Sequence, residues 1–475
     1  MLDWPQVIQG GMGIGVSNWR LARAVSCEGQ MGTVSLVALP HVAARRLQQG
    51  DTHMLRALEA FPIAEVADRI REKYWRKEKS PIPMFSLHPP RDLAWLTLFA
   101  SFAEVWLAKE GHDGKVAGNL LEEVQTPTLL TLLGAMWAGI DAFIIGAGLP
   151  TQIPEVLDAL CAGRITKYRV SVLSHDGSSH EMVLDLNVLL ERFSRESREA
   201  VQSIALNRPA FFPIVSLHTT ASILWRKWEK AGKSCDGFIV EHPVKAGGHN
   251  PSPRGWKGLL NEQGEPVYTE RDTANIEEMK TFRVPFWLAG SYAHPEKLQE
   301  ARACGATGIQ CGSIFALSQE SGIGPVWKSE LIRQAYRGEL DVRSDPRASP
   351  TGFPFQVVSM PGTVSDEATY QKRERICNLG YLRKACITEN GISYRCPAEP
   401  VQDYVHKGGN VEDTVGRKCL CNNLLAQIGL GMTPDGVPES PIITLGKDTG
   451  FLRKLIDRED GTYTAADAVH YLLGK

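Results

Sequence analysis

The chain has 475 residues, of which 52 are Lys or Arg and 54 are Asp or Glu, so its formal net charge is −2. This balance excludes the basic excess that nucleic acid or an anionic membrane would require, and it favours a small-molecule partner. The length exceeds that of one ordinary compact core, so we expect an elaborated barrel or a large domain with a smaller one.

The N-terminus has no cationic segment that leads into an apolar one, and Trp4-Pro5 stand almost at its start. This pattern argues against a secretory signal, so we expect a cytoplasmic protein. In that compartment the ten cysteines are expected to be thiols or metal ligands rather than disulfides.

The first distinctive stretch is IQGGMGIGVSNWRLA, residues 8–22. Its glycines miss the i, i+2, i+5 spacing of the dinucleotide fingerprint. A P-loop is also excluded, because Lys227 stands where the glycine upstream of Gly232-Lys233-Ser234 should be. The loop therefore needs another use, and a helix that opens at Ser17 and closes near Gly29 is expected to follow it.

Short Val- and Ile-rich runs alternate with helical stretches, which is typical of a parallel sheet buried on both faces. The candidate strands are QVIQ from Gln6, GTVS from Gly32, MFSLH from Met84, VAGNLL from Val116, DAFIIG from Asp141, FFPIVS from Phe211, GFIVE from Gly237, FWLAG from Phe286 and GIQCG from Gly308. We predict an α/β fold, a TIM (β/α)₈ barrel. Nine strands are one too many, so MFSLH is assigned to an insertion.

The stretch LLTLLGAMWAGIDAFIIGAGL from Leu129 is long and apolar enough to suggest a membrane span. Asp141 lies inside it and Gly139 breaks it, so a buried helix followed by a buried strand fits better. In the run ILWRKWEK from Ile223, Trp225 and Trp228 have helical spacing and predict a packing face.

Two departures from the barrel pattern predict further structure. The run RVSVLSHDGSSHEMVLDL, residues 169–186, alternates apolar and polar residues around Asp176-Gly177, as a β-hairpin does. After Arg337 the chain becomes rich in Pro, Gly and charge. We therefore predict a barrel over residues 1–337, with insertions near 60–112 and 163–208, and a Cys-rich C-terminal extension over residues 338–475.

The last two barrel strands run into glycine-serine turns, Gly290-Ser291 and Gly312-Ser313. In a (β/α)₈ barrel a phosphate commonly docks at this position, on backbone N–H groups of loops that open helices. The alternative is that the glycines only make tight turns between strand and helix. Cys311, on the last strand, is interpreted as a small apolar side chain without a catalytic role.

Four stretches, IQGGMG, VAGNLLE, EHPVKAGGHN and FWLAGSYAHPEKLQEARACGATGIQCGSIF, resemble the FMN-dependent nitronate monooxygenases, formerly called 2-nitropropane dioxygenases. That family is related to the FabK-type enoyl-acyl-carrier-protein reductases. The resemblance covers roughly residues 5–320. It implies a TIM barrel that holds FMN across its top, and His249 as the active-site histidine.

The resemblance also implies which residues contact FMN. They are Gln9, Gly10, Gly11, Met12, Asn119, Lys245, Ala246, Gly247, Gly248, Ala289, Gly290, Ser291, Gln310, Gly312 and Ser313. Lys245 stands where the family often has an acidic residue, so it either stabilises a reduced anionic flavin or is a solvated loop lysine. His242, in the same loop as His249, is the rival candidate for the proton carrier.

The activity that the resemblance implies is oxidation of alkyl nitronates with dioxygen, with His249 as base or hydrogen-bond donor. An alternative is an NAD(P)H-dependent enoyl-thioester reductase, for which an acyl carrier protein would be a partner. A third hypothesis is a flavin-binding sensor or scaffold without catalysis. None of the three involves nucleic acid or a membrane, and the oligomeric state stays open.

Five cysteines crowd the C-terminal extension: Cys377, Cys386, Cys396, Cys419 and Cys421. They are separated by 8, 9, 22 and 1 residues, and none of these gaps is the two-residue gap of zinc ribbons or ferredoxins. Buried thiols are therefore one interpretation. The other is a zinc or iron–sulfur site built from Cys377, Cys396, Cys419 and Cys421, of which Cys419 and Cys421 are the best pair.

Overall fold

The computed structural model describes residues 4–77, 80–164, 166–174, 178–191 and 193–475. Its strands are β1 (Val7–Gln9), β2 (Gly32–Ser35), β3 (Val116–Leu121), β4 (Ala142–Gly146), β5 (Lys167–Leu173), β6 (Ser179–Asp185), β7 (Ala210–Val215), β8 (Phe238–Glu241), β9 (Gly248–His249), β10 (Phe286–Ala289), β11 (Gly308–Cys311), β12 (Val342–Asp345), β13 (Phe355–Val358), β14 (Lys384–Thr388) and β15 (Gly391–Arg395).

The helices connect and cover these strands. They are α1 (Trp19–Cys27), α2 (Leu39–Gln48), α3 (Thr52–Glu59), α4 (Ala64–Tyr74), α5 (Arg91–Lys109), α6 (Thr128–Trp137), α7 (Ile153–Cys161), α8 (Leu186–Leu190), α9 (Arg195–Ser203), α10 (His218–Lys230), α11 (Ile276–Lys280), α12 (Pro295–Ala303), α13 (Ser313–Ala316), α14 (Pro325–Arg337), α15 (Glu367–Lys372), α16 (Val401–His406), α17 (Leu420–Ala426), α18 (Leu452–Leu455) and α19 (Ala465–Leu472). Two short 3₁₀ helices span Glu270–Asp272 and Val411–Thr414.

Eight parallel strands form the central sheet, in the order β1, β11, β10, β8, β7, β4, β3, β2. The sheet closes because Ile8 of β1 bridges Met31, the residue before β2, in parallel. The Gln9 N–H donates to the Met31 carbonyl at 2.9 Å, and the Met31 N–H donates to the Val7 carbonyl at 3.0 Å. The predicted TIM barrel is therefore confirmed, since helices connect its successive strands.

Eight of the nine candidate strands form this barrel, and MFSLH contains no strand. The first helix begins one residue later than predicted, because Asn18 is its N-cap. The Asn18 side chain accepts hydrogen bonds from the N–H groups of Arg20 and Leu21. Asparagine is among the best N-cap residues, since its carbonyl oxygen satisfies N–H groups that the helix leaves unpaired. Ser17 holds the preceding loop instead.

Large apolar side chains fill the barrel interior. Ile8, Ile144, Phe212, Ile239 and Trp287 form its core and are fully buried. Every second residue of a strand points inward, and β1, β4, β7, β8 and β10 each contribute one of these five side chains. The barrel is consequently a packed core, and a ligand has to bind at one of its ends.

Three further predictions from the sequence agree with the structure. The apolar stretch from Leu129 is helix α6 followed by strand β4, and among the described residues no helix is long and apolar enough to cross a membrane. Strands β5 and β6 form the antiparallel hairpin. Its predicted turn, Asp176-Gly177, lies outside the described residues. Trp225 and Trp228 of α10 pack against Phe238 and Phe211 respectively, as a packing face does.

The segment after Arg337 lies directly on the barrel. Its strand β13 pairs with β9, and its strand β14 pairs with β5. Gln427 Nε2 donates to the Gly13 carbonyl at 3.1 Å, and the Tyr463 hydroxyl donates to the Ile314 carbonyl at 2.6 Å. These bonds fasten the segment to the loop after β1 and to helix α13 after β11, both at the C-terminal ends of barrel strands.

The packed interior yields a stability prediction. We expect Ile144→Ala to lower the free energy of unfolding by about 2–5 kcal/mol, because it opens a cavity in the barrel core. The same substitution at Ile223, which is 61% exposed on α10, is the matched control and should change stability by less than about 0.5 kcal/mol. Urea unfolding followed by circular dichroism measures both. Equal losses would contradict a filled barrel interior.

Candidate functional site

A pocket opens at the C-terminal ends of the barrel strands, beneath the C-terminal segment. Loops after β1, β3, β8, β10 and β11 line it, as expected for the functional end of a (β/α)₈ barrel. The predicted site residues that line it are Gly10, Gly11, Met12, Asn119, Lys245, Ala246, Gly247, Gly248, His249, Ala289, Gly290, Ser291, Gln310, Gly312 and Ser313. The fold thus brings together residues separated by up to 303 positions.

Gln9 is the predicted site residue that does not line the pocket. It is fully buried, and its amide nitrogen donates to the Gly10 carbonyl at 2.5 Å and to Ser17 Oγ at 2.7 Å. Its amide oxygen accepts from the Thr33 N–H at 2.8 Å. Ser17 Oγ in turn accepts from the Met12 N–H at 2.9 Å. Gln9 and Ser17 therefore shape the loop from below.

Gly11 is a glycine because Asn119 needs the space beside it. A Cβ atom at Gly11 would lie 2.1 Å from Asn119 Cβ. The Asn119 amide nitrogen donates to the Ile144 carbonyl at 3.2 Å, so the next strand fixes the orientation of this side chain. The backbone of the first loop thereby packs against the end of β3, and both form one wall of the pocket.

The two predicted phosphate turns both reach the pocket, with different backbone geometry. Gly290 and Ser291 have φ values of +91° and +61°, in the left-handed region that disfavours side chains. A Cβ at Gly290 would also lie 2.8 Å from His242 Cβ. Helix α12 starts only at Pro295, so this turn does not open a helix directly, whereas Gly312 is the N-cap of α13.

Gln310 leaves an unsatisfied polar atom at the pocket wall. Its side chain is 8% exposed, and its amide oxygen has no hydrogen-bond partner among the described residues. A buried acceptor without a donor costs about 1–3 kcal/mol, so such groups usually await a partner. A ligand with an N–H group at this wall would satisfy it.

His249 stands at the pocket under contacts from the C-terminal segment. Its Nε2 lies 2.7 Å from Ser349 Oγ, and its ring packs edge-on against Phe355 with centroids 4.9 Å apart. Burial lowers the pKa of His249 to about 4. The imidazole is therefore neutral at pH 7, and Ser349 engages one of its two nitrogens.

The structure separates His249 from its rival. His242 does not line the pocket, and its Nδ1 accepts from the Val244 N–H at 3.3 Å. Burial, and then the charge of Lys245, lower the pKa of His242 to about 4. Lys245 lines the pocket, and its side chain is exposed. The structure therefore leaves both interpretations of Lys245 open, contact with a reduced flavin and contact with solvent.

Glu241, at the end of β8, lines the pocket and was not predicted. Burial raises the pKa of its carboxyl to about 8, so it is mostly protonated at pH 7. Its position at the end of a barrel strand was the available sequence signal.

Residues of the C-terminal segment complete the pocket, and sequence reasoning missed them as well. They are Phe355, Tyr381, Leu382, Leu420, Cys421, Leu424, Thr444, Leu445, Gly446 and Asp448. Thr444 Oγ1 accepts from the Gly248 N–H at 2.7 Å, and Ser313 Oγ accepts from the Gly446 N–H at 2.8 Å. The segment thus holds two of the predicted cofactor loops directly.

No protein-family model and no curated protein matches the sequence. Among solved structures, FabK from Thermotoga maritima aligns with 99% of this chain and 92% of its own, at 15% identity and a TM-score of 0.48. Nitroalkane oxidase from Streptomyces ansochromogenes aligns over 99% and 95%, at 12% identity and 0.41. Proteins of both groups that the sequence resembles therefore occur among the structural matches.

A third match is the enoyl reductase domain of MlnA from the macrolactin biosynthesis cluster of Bacillus amyloliquefaciens. It covers 76% of this chain and 64% of its own, at 13% identity and a TM-score of 0.37. The barrel assignment depends on none of these alignments, because the strand order and the closing hydrogen bonds establish it.

The carboxyl of Glu241 makes stability depend on pH. In the native state it keeps its proton up to about pH 8, whereas in the unfolded chain it loses it near pH 4.5. Relative to Glu241→Gln, the flavin-free wild type should therefore lose up to about 1.4 kcal/mol of unfolding free energy per pH unit across this window. Urea unfolding of both proteins at several pH values measures this difference.

The matched control for this prediction is Glu262→Gln, on an exposed side chain. Its offset from the wild type should stay nearly constant over the same pH range. If the offset between wild type and Glu241→Gln were equally constant, the buried, protonated state of Glu241 would be wrong.

Proposed function

We propose that the protein is an FMN-dependent oxidoreductase. The observation that carries this proposal is the convergence of glycine loops after β1, β8, β10 and β11 on one pocket that also contains a neutral histidine. Glycines allow a backbone to approach a flat ring or a phosphate closely. A side chain at Gly11 or Gly290 would instead collide with Asn119 or His242, so these two loops cannot keep their shape without glycine.

The residues present fit FMN. The amide oxygen of Gln310 lacks a donor, and the flavin ring carries an N–H group at its polar edge. The turns at Gly290-Ser291 and Gly312-Ser313 would hold the phosphate on backbone N–H groups. When bound, FMN supplies the two-electron chemistry that no side chain of the pocket can perform.

The chain's own residues position the substrate and handle its proton. His249 is neutral, and Ser349 engages its Nε2, so Nδ1 is left to donate to or accept from substrate. The contact with Phe355 restricts the ring further. A positioned general acid or base typically contributes 10²–10⁴-fold to a rate. Removing His249 should therefore cost at least the lower figure.

Between the two substrate classes, the pocket lining favours an enoyl thioester with an apolar acyl chain. Part of the pocket lining is apolar, and it comes from both the barrel and the C-terminal segment. Its members are Val37, Leu121, Val124, Ile214, Phe355, Leu382, Leu420 and Leu424. Such a wall suits an acyl chain, because burying apolar surface yields about 25 cal/mol per Å². NAD(P)H would be the electron donor for this reduction.

Nitronate oxidation with dioxygen is the second candidate. Lys245 at the pocket mouth supports it, because a cation there attracts an anionic substrate. Because His249 is neutral, it can also act as the base that accepts a proton. An extended apolar wall is not required by a small nitronate, so this activity ranks second.

Flavin binding tests the cofactor. We expect Gly290→Ala to weaken FMN affinity at least about ten-fold, or 1.4 kcal/mol, because the added Cβ distorts the turn. Gly264→Ala is the matched control, since Gly264 also has a positive φ, +76°, but no neighbour within 4 Å. Fluorescence titration with FMN measures both. Wild-type protein that binds no FMN would overturn the proposal.

Anaerobic mixing tests the substrate. We expect NAD(P)H to bleach the bound flavin and a crotonyl thioester to restore its colour, with the second step slowed roughly 100-fold by His249→Ala. His242→Ala is the control and should change the rate less than three-fold. Bleaching by an alkyl nitronate but not by NAD(P)H would favour nitronate oxidation instead. A flavin that neither donor reduces would indicate a sensor or scaffold.

A further inference from the structure

The structure gives no support for a metal site in the C-terminal segment. Its five cysteines are free thiols, and each is partly or fully buried. Among the described residues, no three Cys, His, Asp or Glu side chains are placed to hold one metal ion. Buried thiols therefore remain as the interpretation of these cysteines, and the polar groups without a partner lie elsewhere, in the barrel.

The top of the barrel interior contains a row of three residues on neighbouring strands. Ala289 of β10 pairs in register with Gln310 of β11 on one side and with Glu241 of β8 on the other. Residues paired in this way share one face of the sheet, and Ala289 belongs to the inward-facing core of the barrel. Gln310 and Glu241 therefore also point towards the barrel axis, and all three residues line the pocket.

The barrel interior below this row is apolar. Ile239 and Trp287 come two residues before Glu241 and Ala289 on the same strands, and both are fully buried in the barrel core. Side chains two positions apart on a strand point to the same face, so these two lie one step deeper in the barrel. The row consequently forms part of the floor of the pocket.

The two polar side chains of the row lack partners in the fold. The Gln310 amide oxygen has no hydrogen-bond partner, and the Glu241 carboxyl makes no hydrogen bond or ion pair with the described residues. Strands β8 and β11 lie roughly 10 Å apart across β10. Because Ala289 between them has a small side chain without polar atoms, it leaves room for a ligand to reach both groups.

The Glu241 carboxyl is a hydrogen-bond donor at neutral pH. Burial raises its pKa to about 8, so it is mostly protonated at pH 7. The pKa values of His242 and His249, in the loop after β8, are both lowered to about 4. Burial raises the pKa values of the tyrosines and cysteines that line the pocket, which are Tyr292, Cys311, Tyr381 and Cys421.

Two further charged side chains line the pocket, Lys245 and Asp448. Burial alone accounts for the raised pKa of Glu241, so neither of these charges acts on it appreciably. Of the pocket groups with a shifted pKa, Glu241 is the one that changes its charge between pH 7 and pH 9. A ligand that needs its proton should therefore bind less well as the pH rises through this range.

An acceptor and a donor on either side of a small residue match a ligand with an imide edge. Such an edge carries one N–H group between two carbonyl oxygens, and the flavin ring has it. Gln310 would accept from the N–H group, and a protonated Glu241 would donate to a carbonyl oxygen beside it. An apolar ligand would leave both side chains unpaired, which costs about 1–3 kcal/mol for each.

We propose that protonated Glu241 donates a hydrogen bond to a carbonyl oxygen of the bound flavin, next to the N–H group that Gln310 accepts. The inference rests on the proposed function, because it needs FMN in the pocket. It adds that FMN binding requires a proton on this chain. An ionised Glu241 has no hydrogen to donate, and its negative oxygen repels the carbonyl oxygen.

Fluorescence titration with FMN at pH 7 and pH 9 tests this requirement. We expect the affinity of the wild type to fall about ten-fold between the two, in proportion to the protonated fraction of Glu241. The phosphate of FMN loses its second proton near pH 6, at about one unit below this range. Glu241→Gln has an amide donor at every pH, so its affinity should change by less than about two-fold.

Two further variants separate the donor from burial alone. Glu241→Leu removes the donor at similar size, so FMN affinity at pH 7 should fall at least about five-fold and should no longer depend on pH. Glu122→Gln is the matched control. Burial also raises the pKa of Glu122, to about 7, but Glu122 accepts from the Tyr168 hydroxyl at 2.8 Å and does not line the pocket. This variant should keep the ten-fold effect of pH.

Urea unfolding at pH 7 checks that each variant is folded. Equal FMN affinity of the wild type at pH 7 and pH 9, a ten-fold loss that persists in Glu241→Gln, or undiminished affinity of Glu241→Leu at pH 7 would each overturn the inference and leave the proposed function standing. Wild-type protein that binds no FMN at either pH would overturn both.

Discussion

The closure of the barrel is the constraint on which the rest of the structure depends. Strand β1 pairs with β11 on one side and, through Ile8 and Met31, with the entry to β2 on the other. Because all eight strands run parallel, their C-terminal ends meet on one rim. The loops after β1, β3, β8, β10 and β11 can therefore contribute to one pocket although they are far apart in sequence.

The C-terminal segment covers part of this rim and completes the wall of the pocket. It donates to the first loop through Gln427, holds the Gly248 N–H through Thr444, and covers His249 with Ser349 and Phe355. The same enclosure shifts two titratable groups in opposite senses. Burial disfavours charge, so His249 loses its proton more readily and Glu241 keeps its own. Both are thus mainly uncharged at pH 7.

The sequence patterns predicted the barrel with its strands, the hairpin, and the glycine turns at strand ends. They worked because continuous apolar runs and helical periodicity are local properties of the chain. The start of the first helix was predicted one residue too early, because Asn18 and not Ser17 is its N-cap. Gln9 lies in the stretch that was predicted to contact FMN, but it does not line the pocket. Its side chain is instead hydrogen-bonded to Ser17 and Thr33 beneath the loop. The groups to which a buried side chain is hydrogen-bonded depend on the positions of residues that are distant in sequence.

The sequence by itself determined which residues lie at the ends of the barrel strands, because strand periodicity and turn type are both set by residues that are close together in the sequence. Only the tertiary structure decided that Glu241 lines the pocket, and that Tyr381 and Leu424 of the C-terminal segment line it as well. Those associations depend on long-range pairing of β13 with β9 and of β14 with β5. Non-local contacts of this kind leave no periodic trace along the chain, so the fold has to bring their members together before they can be recognised.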